Sequence, residues 1–170
     1  MPSRIRPDRA VRLRLYSDGS SHASGGKPIG WCWIIVELGP DGVAKPLKCG
    51  TGGMASGSNN VAELCGIRDG LDYVWFSFGS LGDREFAAYE SLEVVSDSQY
   101  ALGAASGKNA VHANADLVQA IRKMVVDIQV DLPITFAWVR GHSGEEWQER
   151  TDRLAVRAKE KQMAALKATP

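Results

Sequence analysis

The sequence predicts an α/β fold in which a mixed five-stranded sheet carries helices on both faces. Three β-forming segments joined by glycine-rich turns come first, and alternating helical and strand segments follow, in the order β-β-β-α-β-α-β-α. The first three strands form an antiparallel meander, whereas strands separated by helices pair in parallel, so the sheet is mixed. The 170 residues, 44% of them hydrophobic, suffice for one buried core in one domain.

The first half of the chain contains three strands and one helix. The strands are predicted at residues 11–17, 31–36 and 43–51. The first alternates apolar and polar side chains, the second is a nearly continuous β-forming run, and turn-forming residues 39–42 precede the third. Asn59 or Asn60 can cap the following helix, whose apolar positions recur at helical spacing up to Trp75.

The second half of the chain alternates strands and helices. Strands are predicted at residues 92–95 and 134–139, and helices at residues 115–126 and 147–166. The resulting division is a flexible tail at residues 1–10, one domain at residues 11–162 and a C-terminal tail at residues 163–170.

Composition excludes some classes of protein. Twenty Lys and Arg balance twenty Asp and Glu, so no global positive field favours a nucleic acid, although a carboxylate site would offset an equal number of cations. Cys32 and Cys65 lie in apolar segments without metal-ligand spacing, as in the core of a reduced, cytoplasmic protein. No apolar run reaches membrane-spanning length, and the N-terminus lacks the hydrophobic stretch of a secretory signal.

Four acidic residues lie near the ends of predicted elements. Asp18 follows the first strand and Asp97 follows the fourth, while Glu63 and Asp152 lie in the first turns of two helices. If the two strands are parallel neighbours, both aspartates emerge beyond the strands' carboxyl ends, where open α/β sheets bind ligands. Each acid alone also has an ordinary explanation, because acids stabilise helix N-termini and aspartate begins turns.

Together the four carboxylates predict a site for hard divalent cations. Neighbouring carboxylates repel one another and stay ionised together only if cations join them. Oxygen ligands without a cysteine or histidine cluster favour Mg²⁺, with Mn²⁺ as the second choice. Two such ions about 4 Å apart would hold a phosphodiester, activating water on one side and stabilising the leaving oxygen on the other. The pattern therefore predicts a metal-dependent nuclease without a covalent nucleophile.

The same acids lie in sequence blocks that resemble those of a known family. The blocks are Asp18-Gly19-Ser20, Asn59-Asn60-Val61-Ala62-Glu63-Leu64, Ser96-Asp97-Ser98-Gln99-Tyr100, Trp138-Val139-Arg140-Gly141-His142-Ser143-Gly144 and Glu149-Arg150-Thr151-Asp152-Arg153-Leu154-Ala155. In this order, over roughly residues 11–160, they resemble the signature blocks of type 1 ribonuclease H. The first block alone is weak, whereas the third, and the fourth followed by the fifth, are much more specific.

The resemblance implies a ribonuclease H-like fold and a specific activity. The activity is endonucleolytic hydrolysis of the RNA strand of RNA–DNA hybrids with two Mg²⁺ ions, leaving 3′-hydroxyl and 5′-phosphate ends. The catalytic, metal-binding carboxylates would be Asp18, Glu63, Asp97 and Asp152. His142 would match the family's mobile-loop histidine, which assists proton movement or product departure, whereas without this context it would be an ordinary exposed residue.

Substrate contacts are also implied by matching positions. Asn59 and Gln99 match residues that contact the hybrid across its minor groove, where the ribose 2′-hydroxyl both donates and accepts hydrogen bonds. Ser58 matches a hydroxyl residue that helps to hold a phosphate of the DNA strand. Asn59 also has a plain role as helix cap, and the two roles are compatible. His22 and His112 have no such context and are expected at the surface.

Two departures from the family pattern affect the site and its substrate. Gln148 stands where many members have asparagine, four residues before Asp152, so a contact near the metal site is altered. Some members carry a lysine-rich insertion, but residues 101–116 contain only Lys108 as a lysine or arginine. Because phosphate contacts supply much of nucleic-acid affinity, we expect weak hybrid binding unless the basic residues 1–10 or an auxiliary protein help.

Two other functions fit the same observations. A related nuclease of this fold would act on other nucleic acids, although the blocks around Asn59, Gln99 and His142 favour the hybrid. A non-catalytic hybrid-binding module is the second alternative, but such a module would normally have lost a carboxylate and all four are present. We expect a cytoplasmic monomer without a membrane segment.

Overall fold

A computed structural model describes residues 11–79 and 85–168. The strands are β1 (Arg12–Ser20), β2 (Lys27–Leu38), β3 (Ala44–Gly57), β4 (Leu92–Ser96) and β5 (Ile134–Trp138). The helices are α1 (Asn59–Phe78), α2 (Gln99–Ala105), α3 (Ala115–Gln129) and α4 (Glu146–Ala168), and a 3₁₀ turn lies at Glu85–Ala88. The tail predicted at residues 1–10 lies outside the described residues.

One mixed sheet of five strands organises these elements, in the order β3-β2-β1-β4-β5. The first three strands form the predicted antiparallel meander, whereas β4 pairs in parallel with β1, and β5 with β4. The parallel pairing of β1 and β4 matters for function because it brings the C-terminal ends of two neighbouring strands to the same edge.

Helices cover both faces of the sheet because successive side chains of a strand point to opposite faces. Leu13 and Leu15 of β1 belong to the larger core, which α1, α2 and α3 complete. Tyr16 points to the other face, where it packs with Ile34 in a smaller core that includes Ala155 of α4. The predicted mixed sheet with helices on both faces is therefore confirmed.

Strand β1 is longer than predicted, and Asp18 lies inside it rather than after it. The reason is that β2 remains a partner throughout, with Asp18 opposite Cys32. Pairing with β4, in contrast, ends at Tyr16 and Val95. Asp18 thus lies beyond the parallel pair although it is still within the antiparallel one.

Two helical segments also differ from the predicted elements. The seven-residue helix α2 is absent from the predicted order, because two turns are too short to give a clear period; its N-cap is Ser98, whose side chain accepts from the backbone N–H of Ala101. Helix α4 continues to Ala168, so residues 163–168, predicted as tail, are helical.

Cys32 and Cys65 are buried, as predicted from their apolar segments, and Cys49 is exposed; all three are free thiols. Among the helices of residues 11–79 and 85–168, none has both the length and the hydropathy that crossing a membrane requires.

Candidate metal centre

Asp18 and Asp97 come together at the edge of the sheet where β1 extends beyond the end of β4. The last parallel pair joins Tyr16 and Val95. Asp18 lies two residues after Tyr16 within β1, and Asp97 lies two residues after Val95, directly after the end of β4. Beyond this pair the two strands no longer pair with each other, so side chains can occupy the space between them. The parallel pairing of β1 and β4, on which the sequence-based expectation depended, thus brings both carboxylates to one place.

Glu63 reaches the same edge because α1 approaches β1 very closely. A Cβ atom at Gly19 would overlap the backbone nitrogen of Glu63 and would lie 2.8 Å from Cβ of Ala62. Only glycine permits this approach, and it sets the start of α1 against the end of β1. The glycine of the Asp18-Gly19-Ser20 block therefore has a role in positioning the neighbouring acid.

Helix α1 is capped by Ser58, so the prediction of a cap at Asn59 or Asn60 is wrong. Oγ of Ser58 accepts a hydrogen bond from the backbone N–H of Val61 at 3.3 Å. Serine and asparagine are both favourable caps, and the backbone of Ser58 is extended, which is the conformation that a cap requires. Glu63 consequently lies in the second turn of the helix, not in the first.

Three carboxylates form a compact cluster. Asp18, Glu63 and Asp97 each offer an oxygen, and these oxygens lie within 4.8 Å of one another. Oε1 of Glu63 accepts from Nδ2 of Asn59 at 3.3 Å, whereas Oε2 is buried and has no hydrogen-bond partner. An unpartnered buried carboxylate oxygen is costly unless a cation accompanies it. The all-oxygen donor set therefore fits a hard divalent cation.

The pKa values of these acids reflect their mutual repulsion and burial. Burial, together with repulsion from the Asp97 and Asp152 carboxylates, raises the pKa of Asp18 to about 8. Burial likewise raises the pKa of Glu63 to about 9, with repulsion from Asp18 and Asp97. Burial and Asp152 raise the pKa of Asp97, and His142 opposes this rise. A cation would reverse the balance and favour the ionised forms.

Helix α4 contributes Asp152 and Gln148. Asp152 lies outside the group of three, yet it is close enough to raise the pKa of Asp18 and of Asp97. Gln148 is buried; its Nε2 donates to the backbone oxygen of Ser17 at 3.2 Å, and its hydrogen bond to Asp18 lowers the pKa of that carboxyl. The residue that departs from the family pattern thus fastens α4 to β1 beside the cluster.

The end of β5 and the loop after it place three further groups near Asp97. His142 is exposed, has a left-handed φ of 54° and affects the pKa of Asp97. A Cβ at Gly141 would lie 2.6 Å from Oδ2 of Asp97, and the indole Nε1 of Trp138 donates to the backbone oxygen of Asp97 at 2.9 Å. Gly141 and Trp138 lie in a signature block, but the sequence predicted no contact of either with Asp97, because close approach and a backbone contact leave no pattern of residue types.

The residues matched to substrate contacts are all exposed. Ser58 and Asn59 lie at the N-terminus of α1, and Gln99 opens α2, where it lines a groove with Trp138. Asn59 contacts Glu63 directly through its side-chain amide. Gln99 follows Asp97 by two positions in the sequence. His22 and His112 are exposed, as predicted.

Comparison with known proteins gives matches over most of the chain. The family described as ribonuclease H (RNase H) matches residues 10–160. A ribonuclease H of Treponema denticola is 31% identical over 170 residues, covering 90% of this chain and 100% of the relative. One from Pseudomonas fluorescens strain Pf0-1 is 32% identical over 160 residues, covering 85% of this chain and 88% of the relative.

Solved structures agree in fold. The N-terminal RNase H domain of a Mycobacterium tuberculosis protein, solved as a fusion with maltose-binding protein, superposes with a TM-score of 0.69 at 21% identity and covers 92% of this chain and 99% of its own. LC11-RNase H1, isolated from compost and solved with an RNA/DNA hybrid, has a TM-score of 0.65 at 19% identity and covers 89% of this chain and 99% of its own. The predicted ribonuclease H-like fold is confirmed, and the chain belongs to the ribonuclease H family of enzymes.

Proposed function

We propose that this protein is an endonuclease that cuts the RNA strand of RNA–DNA hybrids, using divalent metal ions held by Asp18, Glu63, Asp97 and Asp152. The observation that carries the proposal is the group of three carboxylate oxygens within 4.8 Å of one another at the β1–β4 edge. Family membership and the hybrid complex of LC11-RNase H1 support the substrate.

The four carboxylates divide into an inner and an outer part. Asp18 and Glu63 are buried, Asp97 is half-buried beside them, and Asp152 approaches from α4. When bound, two Mg²⁺ ions, or Mn²⁺ in their place, supply the positive charge that activates water and stabilises the leaving oxygen. The buried acids keep these charges away from bulk solvent, and Gln148 restrains the orientation of Asp18.

His142 would move protons at the margin of the site. It lies on an exposed loop beside Asp97, so its imidazole reaches both the reaction centre and solvent. An imidazole can accept and donate a proton, and we assign it to the proton of the leaving 3′-oxygen or to product departure. The products would carry 3′-hydroxyl and 5′-phosphate ends.

The exposed residues at two helix N-termini would hold the substrate. Asn59 donates through Nδ2 to Glu63, which leaves its Oδ1 to accept from a ribose 2′-hydroxyl; Gln99 supplies a second amide. Oγ of Ser58 already accepts the cap hydrogen bond, so its hydroxyl hydrogen can donate to a phosphate of the DNA strand.

The test compares four labelled substrates: an RNA–DNA hybrid, duplex RNA, duplex DNA and single-stranded RNA, each with Mg²⁺ and with EDTA. We expect the RNA strand of the hybrid alone to be cut, only with Mg²⁺, leaving 5′-phosphate ends. Cleavage of duplex DNA at a similar rate would instead favour a related nuclease of this fold. Hybrid binding without cleavage would favour the non-catalytic module.

A further inference from the structure

The loop that carries His142 is fastened at its N-terminal end by the sheet. We call residues 139–145, between β5 and α4, the His142 loop. The backbone N–H of Val139 donates to the backbone oxygen of Ser96 at 3.1 Å, which continues the pairing of β5 with β4. His142 lies in the middle of this loop, exposed and with a left-handed backbone. Its position therefore depends on how the two ends of the loop are held.

The C-terminal end of the His142 loop is held by side chains. Glu145 is the last residue before α4, and its Oε2 accepts from the backbone N–H of Gln148 at 2.6 Å, as a helix cap does. Its Oε1 accepts from the hydroxyl of Tyr16 at 2.9 Å. Tyr16 belongs to β1, two residues before Asp18, so this bond joins the loop to the strand that presents a carboxylate of the cluster.

The hydroxyl of Tyr16 is enclosed by charged groups that restrict its choice of partner. Tyr16 is 2% exposed, and Arg14 donates to its oxygen at 3.5 Å. Arg14 is itself paired with Glu93 at 2.6 Å. The tyrosine oxygen therefore receives a hydrogen bond from one side, and its own hydrogen is directed to Glu145. A buried hydroxyl without a partner is costly, so the bond to Glu145 is retained in the folded protein.

We propose that Tyr16 is a positioning residue: through Glu145 it fixes the C-terminal end of the His142 loop and so keeps His142 beside Asp97. The inference rests on the proposed function, because it assigns Tyr16 to the work of His142. A loop released at this end samples more conformations, and fewer of them place the imidazole at the reaction centre. Turnover then falls while substrate binding, which depends on other residues, is retained.

The test is a double-variant cycle on hybrid cleavage, with kcat and KM measured for the wild type, Tyr16→Phe, His142→Ala and the double variant. Tyr16→Phe removes one hydroxyl and keeps the ring in the core. We expect it to lower kcat about tenfold and to leave KM within about twofold. In the His142→Ala background it should lower kcat by less than about twofold, because there is no imidazole left to position.

Tyr89→Phe is the matched control. Tyr89 is also buried and donates to a glutamate, Oε1 of Glu37, at the same distance of 2.9 Å, but it lies away from the loop. It should lower the melting temperature like Tyr16→Phe and leave kcat unchanged. A parallel cycle with Glu145→Ala tests the anchor from its other side and serves if Tyr16→Phe fails to fold. Glu145→Gln keeps an acceptor for Tyr16 and should retain more turnover than Glu145→Ala.

The outcomes separate this inference from the proposed function. Equal losses of kcat from Tyr16→Phe with and without His142 would overturn the inference, since the hydroxyl would then act on stability or on another group, while the proposed function stands. A His142→Ala enzyme with unchanged kcat would also overturn it, because nothing would need positioning. A wild type that cuts no hybrid would overturn both.

Discussion

Two of the three acidic side chains of helix α1, Glu63 and Asp69, have surroundings that are opposite in kind. Glu63 is buried among other carboxylates, its Oε2 has no hydrogen-bond partner, and its pKa rises to about 9. Asp69, six residues later, is half-buried among donors: it accepts from the indole Nε1 of Trp31 at 2.6 Å and from the guanidinium of Arg68 at 2.9 and 2.7 Å. The same helix thus holds one carboxylate that the fold satisfies and one that it does not.

The difference separates a structural acid from a functional one. Asp69 links α1 to β2 through Trp31, and its hydrogen bonds are complete within the protein. We expect the charge of Glu63 to lower the stability of the metal-free fold, because burial and repulsion act against it and raise the pKa of Glu63. A residue that destabilises its own fold in this way is a candidate for binding something from outside, and here that is a cation.

The largest expected effect is on turnover, and it contrasts the two acids directly. Glu63→Gln and Asp97→Asn keep the shape of the side chain but remove the charge that holds a metal ion. We expect each to reduce kcat on the hybrid by about 10³-fold or more, whereas Asp69→Asn should change it by less than about threefold. Near-normal turnover in Glu63→Gln at saturating Mg²⁺ would show that the carboxylate cluster is not the active site.

The next largest effect is expected from Gly141→Ala. This variant tests whether the carboxylate cluster tolerates a displacement of Asp97. The added Cβ would lie 2.6 Å from Oδ2 of Asp97, so the carboxylate has to move. We expect kcat to fall about tenfold to a hundredfold and half-maximal activity to require more Mg²⁺. Ser143→Ala, at an exposed position of the same loop, is the control. An unchanged Mg²⁺ titration would mean that Asp97 does not hold metal in the position seen here.

The architecture and the four acids were predictable because they depend on strong local signals. Alternating and continuous apolar runs located the five strands. The parallel pairing of β1 with β4, which entered the sequence-based expectation only as a condition, is present in the structure. Asp97 lies directly after β4, as predicted. The blocks around Glu63 and Asp152 then completed the carboxylate set.

The remaining features depend on contacts between distant residues, and sequence patterns do not carry these. Asp18 lies inside β1 because β2 continues beside it, and how far that pairing extends depends on residues of both strands. The choice of Ser58 over Asn59 as cap is made by backbone geometry. The bond between Tyr16 and Glu145 joins residues 129 positions apart.

The comparison also predicts how the metal-free protein responds to pH. Asp18 and Glu63 have folded pKa values of about 8 and about 9, above the unfolded values of about 4. Between these limits the folded state holds protons that the unfolded state has lost, so the contribution of these groups to stability falls as pH rises. Without metal, we expect the free energy of unfolding to fall by on the order of 5 kcal/mol between pH 6 and pH 9.

Substitution of Glu63 and of Asp69 should change the melting temperature in opposite directions. In EDTA at pH 9, Glu63→Gln should raise the melting temperature, because it removes a buried repulsive charge. Asp69→Asn should lower it at pH 6 and at pH 9, since Trp31 and Arg68 lose a charged acceptor. Adding Mg²⁺ should stabilise the wild type more than Glu63→Gln. Thermal unfolding monitored by circular dichroism provides all of these comparisons, and destabilisation by Glu63→Gln in EDTA at pH 9 would contradict the assignment.

The smallest expected effect concerns the arginine and lysine side chains. Like the acids of α1, they divide into side chains whose charge is satisfied within the protein and side chains whose charge is not. Arg122 donates to the backbone oxygens of Ala104 and Asn109 at 2.8 Å each, so its charge stabilises the segment after α2. Arg68, by contrast, forms an ion pair with the carboxylate of Asp69. Residues 101–116 contain Lys108 as their one lysine or arginine, and it is exposed, so it can meet a phosphate. We therefore expect weak hybrid binding with a shallow dependence on salt.

Adding cations to this segment should change binding without changing turnover. Ala110 and Ala113 are exposed, so lysine at both positions disturbs no packing. Each new phosphate contact steepens the slope of log K against log salt by about 0.9, so the Ala110→Lys, Ala113→Lys variant should bind more tightly at low salt, with kcat unchanged at saturating substrate. Glutamine at both positions is the uncharged control, and the titration uses a fluorescent hybrid in Ca²⁺ at several salt concentrations. A steep slope in the unmodified protein would mean that other cations already meet the phosphates, and the arginines of residues 1–10 would be the first to replace.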